Sequence, residues 1–501
     1  MKRRVLSFMF FLFATLLLAS LSDLSAQRQY IVEPGDHSVG ILNDAISGDT
    51  TETGARVDTN TVYILRRGDQ GVYLLNGSIR EDFPVSIAAE EGTGARPKII
   101  PGVAELGGES DRPFRPENDL TLKSLYVTGL DALGSLTTRM IRVSADHAVI
   151  TIDDCYIERD GQSFVRLDVD SCTVSITNST IANIGNTKDP SNGRIIDDRG
   201  NHVVSITFEN NTIYNITRGM TRDDGGILGS IVFRNNTVFN TGTTLFQLGQ
   251  VIDCQIENNI FYNYSYYADT YDSLDGNYGD CVHADSLSQF WLDQGYTQNI
   301  RIRNNSWHIE DAYRNMAVLG DSLGFDDLFD ATVAAFVGQN GDSATNLMDA
   351  VIDFTNPPVA QTDMVTKFWT LGQAHVDIPD FDVTGEPYDF SYPADAPQAT
   401  AGIDGKPLGD PKWMQPATGT KNVFSNNNIV LYPNPANDYI TLESDTPIQS
   451  VRIYDITGKS VLSLNKAHNL EMISISSLNK GIYLVNVRFE DGTNSAIKMM
   501  K

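Results

Sequence analysis

The stretch "VSITFENNTIYNITRGMTRDDGG", residues 204–226, reads as a strand, an Asn-Asn turn, a second strand and a charged tail. Its first half recurs along the chain. "LTLKSLYVTG" from Leu120, "VITIDDCYIER" from Val149, "VSITNSTIANI" from Val174, "SIVFRNNTVFNT" from Ser230, "CQIENNIFYNY" from Cys254 and "IRIRNNSWHI" from Ile300 repeat the same strand, turn and strand. The apolar residue after each turn gives an anchor series: Val127, Ile157, Ile181, Ile213, Val238, Phe261 and Trp307, at intervals of 30, 24, 32, 25, 23 and 46 residues. A minimum period near 23, with insertions confined to loops, suits a coil of stacked parallel strands better than a propeller blade or a helical repeat. Asparagine stands three residues before the anchor at Asn178, Asn210, Asn235, Asn258 and Asn304, and two after it at Asn183, Asn215, Asn240 and Asn263. In coils about 4.8 Å apart, matched amides hydrogen-bond along the stack, and Asn accepts the left-handed backbone of a sharp corner. These residues read as scaffold ladders.

The pattern resembles the right-handed parallel β-helix proteins of the pectate-lyase-like superfamily, over roughly residues 28–413. "GDHSVGILNDAI" looks like the helix that caps the first coil, and "TVYILRRGDQGVYLLNGSI" and "FPVSIAAEEGTGARPKIIPG" look like its opening rungs. A cap is needed because an open coil end exposes strand edges and apolar core. The expected fold is all-β, a right-handed parallel β-helix solenoid with its cap and first coils at 27–118 and its core at 119–375. The insertion "YNYSYYADTYDSLDGNYGDCVHADSLSQFWLDQGYT" offers aromatics that either stack sugars or cover the coil. A second, "FDDLFDATVAAFVGQNGDSATNLMDAVIDF", has the apolar spacing of a short helix. Residues 376–427, which include the Pro-rich "YDFSYPADAPQATAGIDGKPLGDPKW", read as a terminal strap and linker.

Both ends carry addresses. Lys2, Arg3 and Arg4 precede an apolar run over residues 5–18, and Ser25-Ala26-Gln27 supplies small residues for cleavage, so residues 1–26 read as a signal peptide. No later segment reaches the roughly 20 apolar residues that cross a bilayer, so no transmembrane segment is expected in the mature chain. Near the C-terminus "LYPNPANDYITLES", "VRIYDITGKSVLSL" and "ISISSLNKGIYLVNVRFEDGTNSAIKMMK" alternate short strands with turns, the pattern of a small antiparallel β-sandwich at 428–501. They resemble the type A C-terminal sorting domain of the type IX secretion system of Bacteroidota. That resemblance implies passage through the periplasm and outer membrane, the type IX secretion machinery as partner, and a secreted or cell-surface destination. In such an oxidising setting Cys155, Cys172, Cys254 and Cys281 allow two disulfides in three connectivities, although Cys155, in an apolar strand, also fits a buried free thiol.

A formal net charge of -27, from 37 basic and 64 acidic residues, argues against nucleic acid as partner. An anionic polymer would need a local basic strip or a bridging cation such as calcium. Alternation in "MIRV", "FVRL", "RIIDDR", "MTRDD" and "LFQL" turns Ile141, Val143, Val165 and Leu167 inward. It brings Arg142, Arg166, Asp198, Arg222 and Gln247 into approximate register on one outward face. Arginines stacked at one strand spacing repel unless carboxylates or an anionic ligand lie between them. Asp197, Asp198, Asp223 and Asp224 are the neutralisers at hand, so the face is either a solvated charge ladder or a groove for an acidic polysaccharide.

Residues 194–226, "RIIDDRGNHVVSITFENNTIYNITRGMTRDDGG", resemble the central part of the chondroitinase-B and alginate-lyase-like family. In that family a lysine removes the proton α to a uronate carboxylate, an arginine assists, and calcium commonly neutralises the carboxylate during β-elimination. The resemblance places Arg222 at the arginine position but Asp197 or Asp198 at the lysine position, where a carboxylate is a weaker base and a better metal ligand. Lys188 in "GNTKDPSNGR" and Arg199 join Arg222 as candidate catalytic groups; Arg142, Arg166, Arg194 and Gln247 are candidate substrate-binding groups; Asp197, Asp198, Asp223 and Asp224 are candidate calcium ligands. The leading expectation is an exported lyase acting on an acidic, uronate-containing polysaccharide. A non-catalytic glycan-binding or adhesive surface protein is the alternative, favoured by the aspartate at the lysine position. Third is a polygalacturonase-like hydrolase using paired carboxylates such as Asp153 and Asp154, but the companion Gly-His-Gly and Arg-Ile-Lys patterns are missing. His37, His147, His202, His283 and His308 show no metal-binding spacing, and no nucleophile elbow or phosphate loop occurs.

Overall fold

The anchor residues meet in register from coil to coil. Val127 pairs with Ile157, Ile157 with Ile181, Ile181 with Ile213, Ile213 with Val238, Val238 with Phe261 and Phe261 with Trp307, in parallel strands throughout. The computed structural model describes residues 27–35, 38–103, 112–189, 191–223, 225–267, 280–316, 328–371, 377–414, 429–444, 447–455, 459–465, 472–489 and 494–501. The expected signal peptide, Asp224 and the middle of the Tyr- and Asp-rich insertion lie outside the described residues. Two compact units, Met1–Gln415 and Pro416–Lys501, divide the chain.

In the first unit each coil contributes strands to parallel sheets. Among the described residues, the first sheet has ten strands from Gln29–Val32 to Asn299–Arg303, the second ten from Val72–Leu74 to Leu347–Met348, and the third six from Thr137–Val143 to Val282–His283. Strands such as Cys172–Thr177 alternate buried and half-buried residues because one face must meet the core. Inside, rings stack along the axis: Phe233 on Phe261 at 5.8 Å between centroids, and Phe261 on Trp307 at 4.1 Å. Each such buried side chain contributes about 1.5–3 kcal/mol.

The outer asparagines form the expected ladders. Asn210 donates to Asn178, Asn235 to Asn210, Asn215 to Asn183, Asn240 to Asn215 and Asn263 to Asn240, at 3.0–3.3 Å. All of them hold positive φ. A further ladder, not singled out from the sequence, runs through the second asparagine of each pair. Asn236 is fully buried; its Oδ1 accepts from the N–H and Nδ2 of Asn211, and its Nδ2 donates to Phe208 O and Asn259 Oδ1. Asn259 and Asn305 repeat the arrangement, and Asn346 continues it into the second insertion. Two donors and two acceptor lone pairs are all a side-chain amide has, so each inner rung is saturated.

Both ends of the coil are covered. Helix Ile41–Ser47 buries Leu42 and Ile46 at the first, and helix Ala331–Gln339 forms where the second insertion was expected to be helical. Beyond it, Asn340 donates to Ile300 O and Asp342 accepts from Ile302 N, which satisfies the edge of the last first-sheet strand. The terminal strap, with the end of the second insertion, lies on the second sheet, where Tyr388, Phe390 and Leu408 of the strap and Phe354 of the insertion pack against Tyr214, Phe239, Ile260 and Tyr262. Asp410 accepts from Thr212 at 2.6 Å and Trp413 Nε1 donates to the same hydroxyl at 2.6 Å.

The disulfides that the sequence allowed are not formed: all four cysteines are buried free thiols. Cys172 and Cys254 share the first sheet but are separated by two strands, about 14 Å at one strand spacing and too far to bridge. Burial pushes the Cys172 thiol up to about 11 and that of Cys155 to about 12.

Among the described residues of the second unit, a three-stranded and a four-stranded antiparallel sheet share a core that includes Ile440, Leu442, Val451, Ile453, Val485 and Val487, as expected of the small sandwich.

The ladders predict unequal costs. Asn236→Ala leaves buried partners unsatisfied and is expected to lower unfolding free energy by about 1–3 kcal/mol. Asn210→Gly keeps the left-handed corner and is expected to cost less than about 1 kcal/mol. Urea unfolding of both variants checks this, and equal losses would contradict a saturated inner ladder.

Candidate functional site

The third sheet carries a column of long polar side chains. Arg142 pairs with Arg166, Arg166 with Asp197, Asp197 with Arg222, and Gln247 with His283 in the following coils. Parallel bridges from Ile79 to Phe114 and from Phe114 to Ile141 extend the column backwards, placing Arg80 and Arg115 in line with Arg142. Four arginines, Arg80, Arg115, Arg142 and Arg166, therefore stack in consecutive coils, about 4.8 Å apart along the backbone. Sequence reasoning missed the first two because their coils make only single bridges. The signal was present as an apolar residue followed by arginine: Ile79-Arg80, Phe114-Arg115, Ile141-Arg142 and Val165-Arg166.

Carboxylates relieve part of the repulsion. Asp168 Oδ2 lies 2.5 Å from Arg142 Nε and its Oδ1 2.7 Å from Arg166 Nε. Burial works against its charge, but the hydrogen bonds from Arg166 and Arg142 hold its carboxyl below the ordinary value. Arg80 pairs with Glu117 at 2.5 Å. At Arg115, burial first and then the charges of Arg80, Arg142 and Arg112 pull the guanidinium below its ordinary value. The guanidiniums remain within reach of a ligand: the side chains of Arg142, Arg166 and Arg222 are 33%, 17% and 23% exposed.

Farther along, the expected register is corrected by one residue. Asp197, not Asp198, occupies the column, because the strand Arg194–Asp197 ends there and the chain turns left-handed at Arg199. Asp197 is fully buried between Arg194 Nε at 3.4 Å and Arg222 Nη1 at 3.8 Å. Asp198 accepts from Gly200 N, while Asp223 accepts from Gly225 N and Gly226 N. Arg199 sits exposed in the turn rather than in the column. Lys188 lies in the loop between Thr180–Ile184 and Arg194–Asp197, half-buried, its N–H donated to Asn186 Oδ1. Ser191 O in the same loop accepts from Arg194 and from Arg218, both at 3.0 Å. Arg218, also missed from sequence, donates to Gln247 Oε1, and Gln247 Nε2 donates to Asp223 O.

At the far end of the column, His283 Nδ1 lies 2.9 Å from Asp330 Oδ2 and Nε2 lies 3.5 Å from Asp285 Oδ1. Asp330 caps helix Ala331–Gln339 through Val333 N and also accepts from Ala284 N. Burial opposes protonation of the imidazole, yet Asp330 and then Asp285 raise it above its ordinary value. The pair was illegible in sequence because its members are 47 residues apart and belong to different insertions.

Charge separates the three faces. Described strands of the third sheet hold five arginines, Arg139, Arg142, Arg166, Arg194 and Arg222, against Asp160 and Asp197. Burial pushes Asp160 up to about 8, which removes most of its charge at neutral pH. First-sheet strands hold four basic residues, Lys123, Arg234, Arg301 and Arg303, against four acidic ones, Asp153, Glu209, Asp253 and Glu257. The second sheet has one of each sign and is covered by the strap.

Among the described residues, the expected calcium ligands Asp197, Asp198 and Asp223 are engaged by other groups. Asp197 is enclosed by guanidiniums, Asp198 and Asp223 are occupied by turn N–H groups, and no group of three or more His, Cys, Asp or Glu suited to a metal occurs among the described residues. The Asp153–Asp154 pair stands at the corner of the first and second sheets, where Asp154 binds Arg96 and Ser124, away from the basic column.

No curated protein matches the chain. Residues 430–501 match the family described as a secretion system C-terminal sorting domain, a module of type IX secretion that directs its cargo to the cell surface or out of the cell. No helix among the described residues is long and apolar enough to cross a membrane. The chain is thus a type IX secretion cargo whose first unit is a parallel β-helix-like solenoid.

Proposed function

We propose that the third sheet binds an acidic polysaccharide laid along the coil axis. The observation that carries this reading is the in-register arginine column in a chain of net charge -27. Stacking Arg80, Arg115, Arg142 and Arg166 costs stability that Asp168 and Glu117 offset only in part, and an anionic polymer with charges repeated along its length offsets the rest. The neighbouring faces do not compete, since one is charge-balanced and the other is covered. Uronate carboxylates suit the guanidinium forks through charge-assisted hydrogen bonds.

A lysine–arginine elimination centre at Asp197 and Arg222 is disfavoured, because the Asp197 carboxylate is buried and enclosed by Arg194 and Arg222. Any cleavage by β-elimination needs its base elsewhere along the column. Binding without cleavage, as in a surface adhesin, remains the alternative outcome of the same site.

Titration of the mature protein with polygalacturonate, alginate, chondroitin sulfate and a neutral glucan tests the reading. At least one polyuronate is expected to bind, with affinity falling as salt rises, and the neutral glucan is expected not to. Arg115→Ala and Arg142→Ala are each expected to weaken binding about ten- to hundredfold, the cost of about 1.5–3 kcal/mol for a lost charged hydrogen bond. Polyanion binding indifferent to both substitutions would overturn it.

A further inference from the structure

We propose that Arg115 is the anchoring residue of the third-sheet site: its guanidinium takes one anionic group of the bound polymer and so fixes where the chain sits along the column. The proposal rests on the polysaccharide reading above and names the rung that sets the register. Four arginines stack in consecutive coils, but they are not equivalent. Glu117 Oε1 accepts from Arg80 Nε at 2.6 Å, and Asp168 accepts from Arg142 and Arg166 at 2.5 and 2.7 Å. Among the described residues, the Arg115 side chain makes no ion pair and its Nε is buried without a hydrogen bond. Glu117, the carboxylate that favours its charge, is already held by Arg80, whereas Arg80, Arg142 and Arg112 oppose it.

The backbone beneath this guanidinium is fixed before any ligand arrives. Arg115 N donates to Ile79 O at 2.9 Å, while Phe114 O and Pro116 O accept from Arg142 N and Ser144 N, both at 3.0 Å. Pro113 and Pro116 restrict the chain on either side, and Phe114 is buried in the core. Arg115 itself is half-buried, so binding has one side chain to order. A carboxylate accepts two N–H bonds from the guanidinium fork. The neighbouring charges of Arg80 and Arg142, which oppose Arg115, attract an anion placed on it. A half-buried charge with no partner costs stability. Arg115 is therefore the rung at which removing the charge stabilises the unliganded fold and weakens the complex.

The test compares thermal unfolding of the mature protein and its binding to polygalacturonate, alginate and chondroitin sulfate with those of Arg115→Met and Arg166→Met. Methionine keeps an apolar stem and removes the charge. Arg115→Met is expected to raise the unliganded melting temperature by roughly 1–3 °C, and Arg166→Met to lower it because Asp168 loses a partner. For whichever polyanion the unaltered protein binds, Arg115→Met is expected to weaken affinity about tenfold or more, chiefly through faster dissociation. A melting temperature that Arg115→Met does not raise, or a smaller loss of affinity, would overturn the anchoring role and leave binding to the rest of the column. Absence of polyanion binding by the unaltered protein would overturn both readings.

Discussion

Amide-to-amide hydrogen bonding along the inner asparagine ladder is the constraint on which the solenoid depends. Each coil must return a side chain with two donors and two acceptors to one buried corner, and Asn211, Asn236, Asn259 and Asn305 do so with backbone carbonyls of the preceding coil as the second acceptors. A slip of one residue would strand these groups unsatisfied and turn the core-facing set outward. Insertions are therefore pushed to the other corners, which explains coils that differ in length yet keep one register. The outer ladders add the left-handed turn that lets two sheets meet across a single pair of residues.

Register fixed at one corner is transmitted around the coil. Because four consecutive coils repeat an apolar residue followed by an arginine on the third-sheet face, Arg80, Arg115, Arg142 and Arg166 are brought to one strand spacing. Burial, and then its arginine neighbours, pull the Arg115 guanidinium below its ordinary value. Asp168 bridges one pair of arginines and Asp197 joins Arg194 to Arg222, so the column is braced while parts of its guanidiniums stay exposed. A face that gathers arginines in a chain of net charge -27 is what the proposed polyanion site rests on.

The repeat, its parallel pairing and the sorting sandwich were legible because the asparagines and apolar anchors recur at a visible period and "LYPNPAN", "YDITGK" and "KGIYLV" follow in order. The column was legible in part: Arg142, Arg166, Arg222 and Gln247 were identified, but Asp198 was taken for Asp197, since the strand end at Asp197 shifts the alternation. Arg80 and Arg115 escaped because single bridges leave too short a strand for alternation to register. The disulfides were allowed by compartment and number alone, whereas strand positions decide them. His283 and Asp330 meet only through tertiary placement of two insertions, which no local pattern encodes.

The most direct test is a crystal structure of the mature protein with a uronate oligosaccharide. The expected result is a sugar chain parallel to the coil axis on the third sheet, with carboxylates within hydrogen-bond distance of Arg115, Arg142 or Arg166. A sugar seated on the first sheet or on the strap, with the arginine column unoccupied, would contradict the assignment of that face.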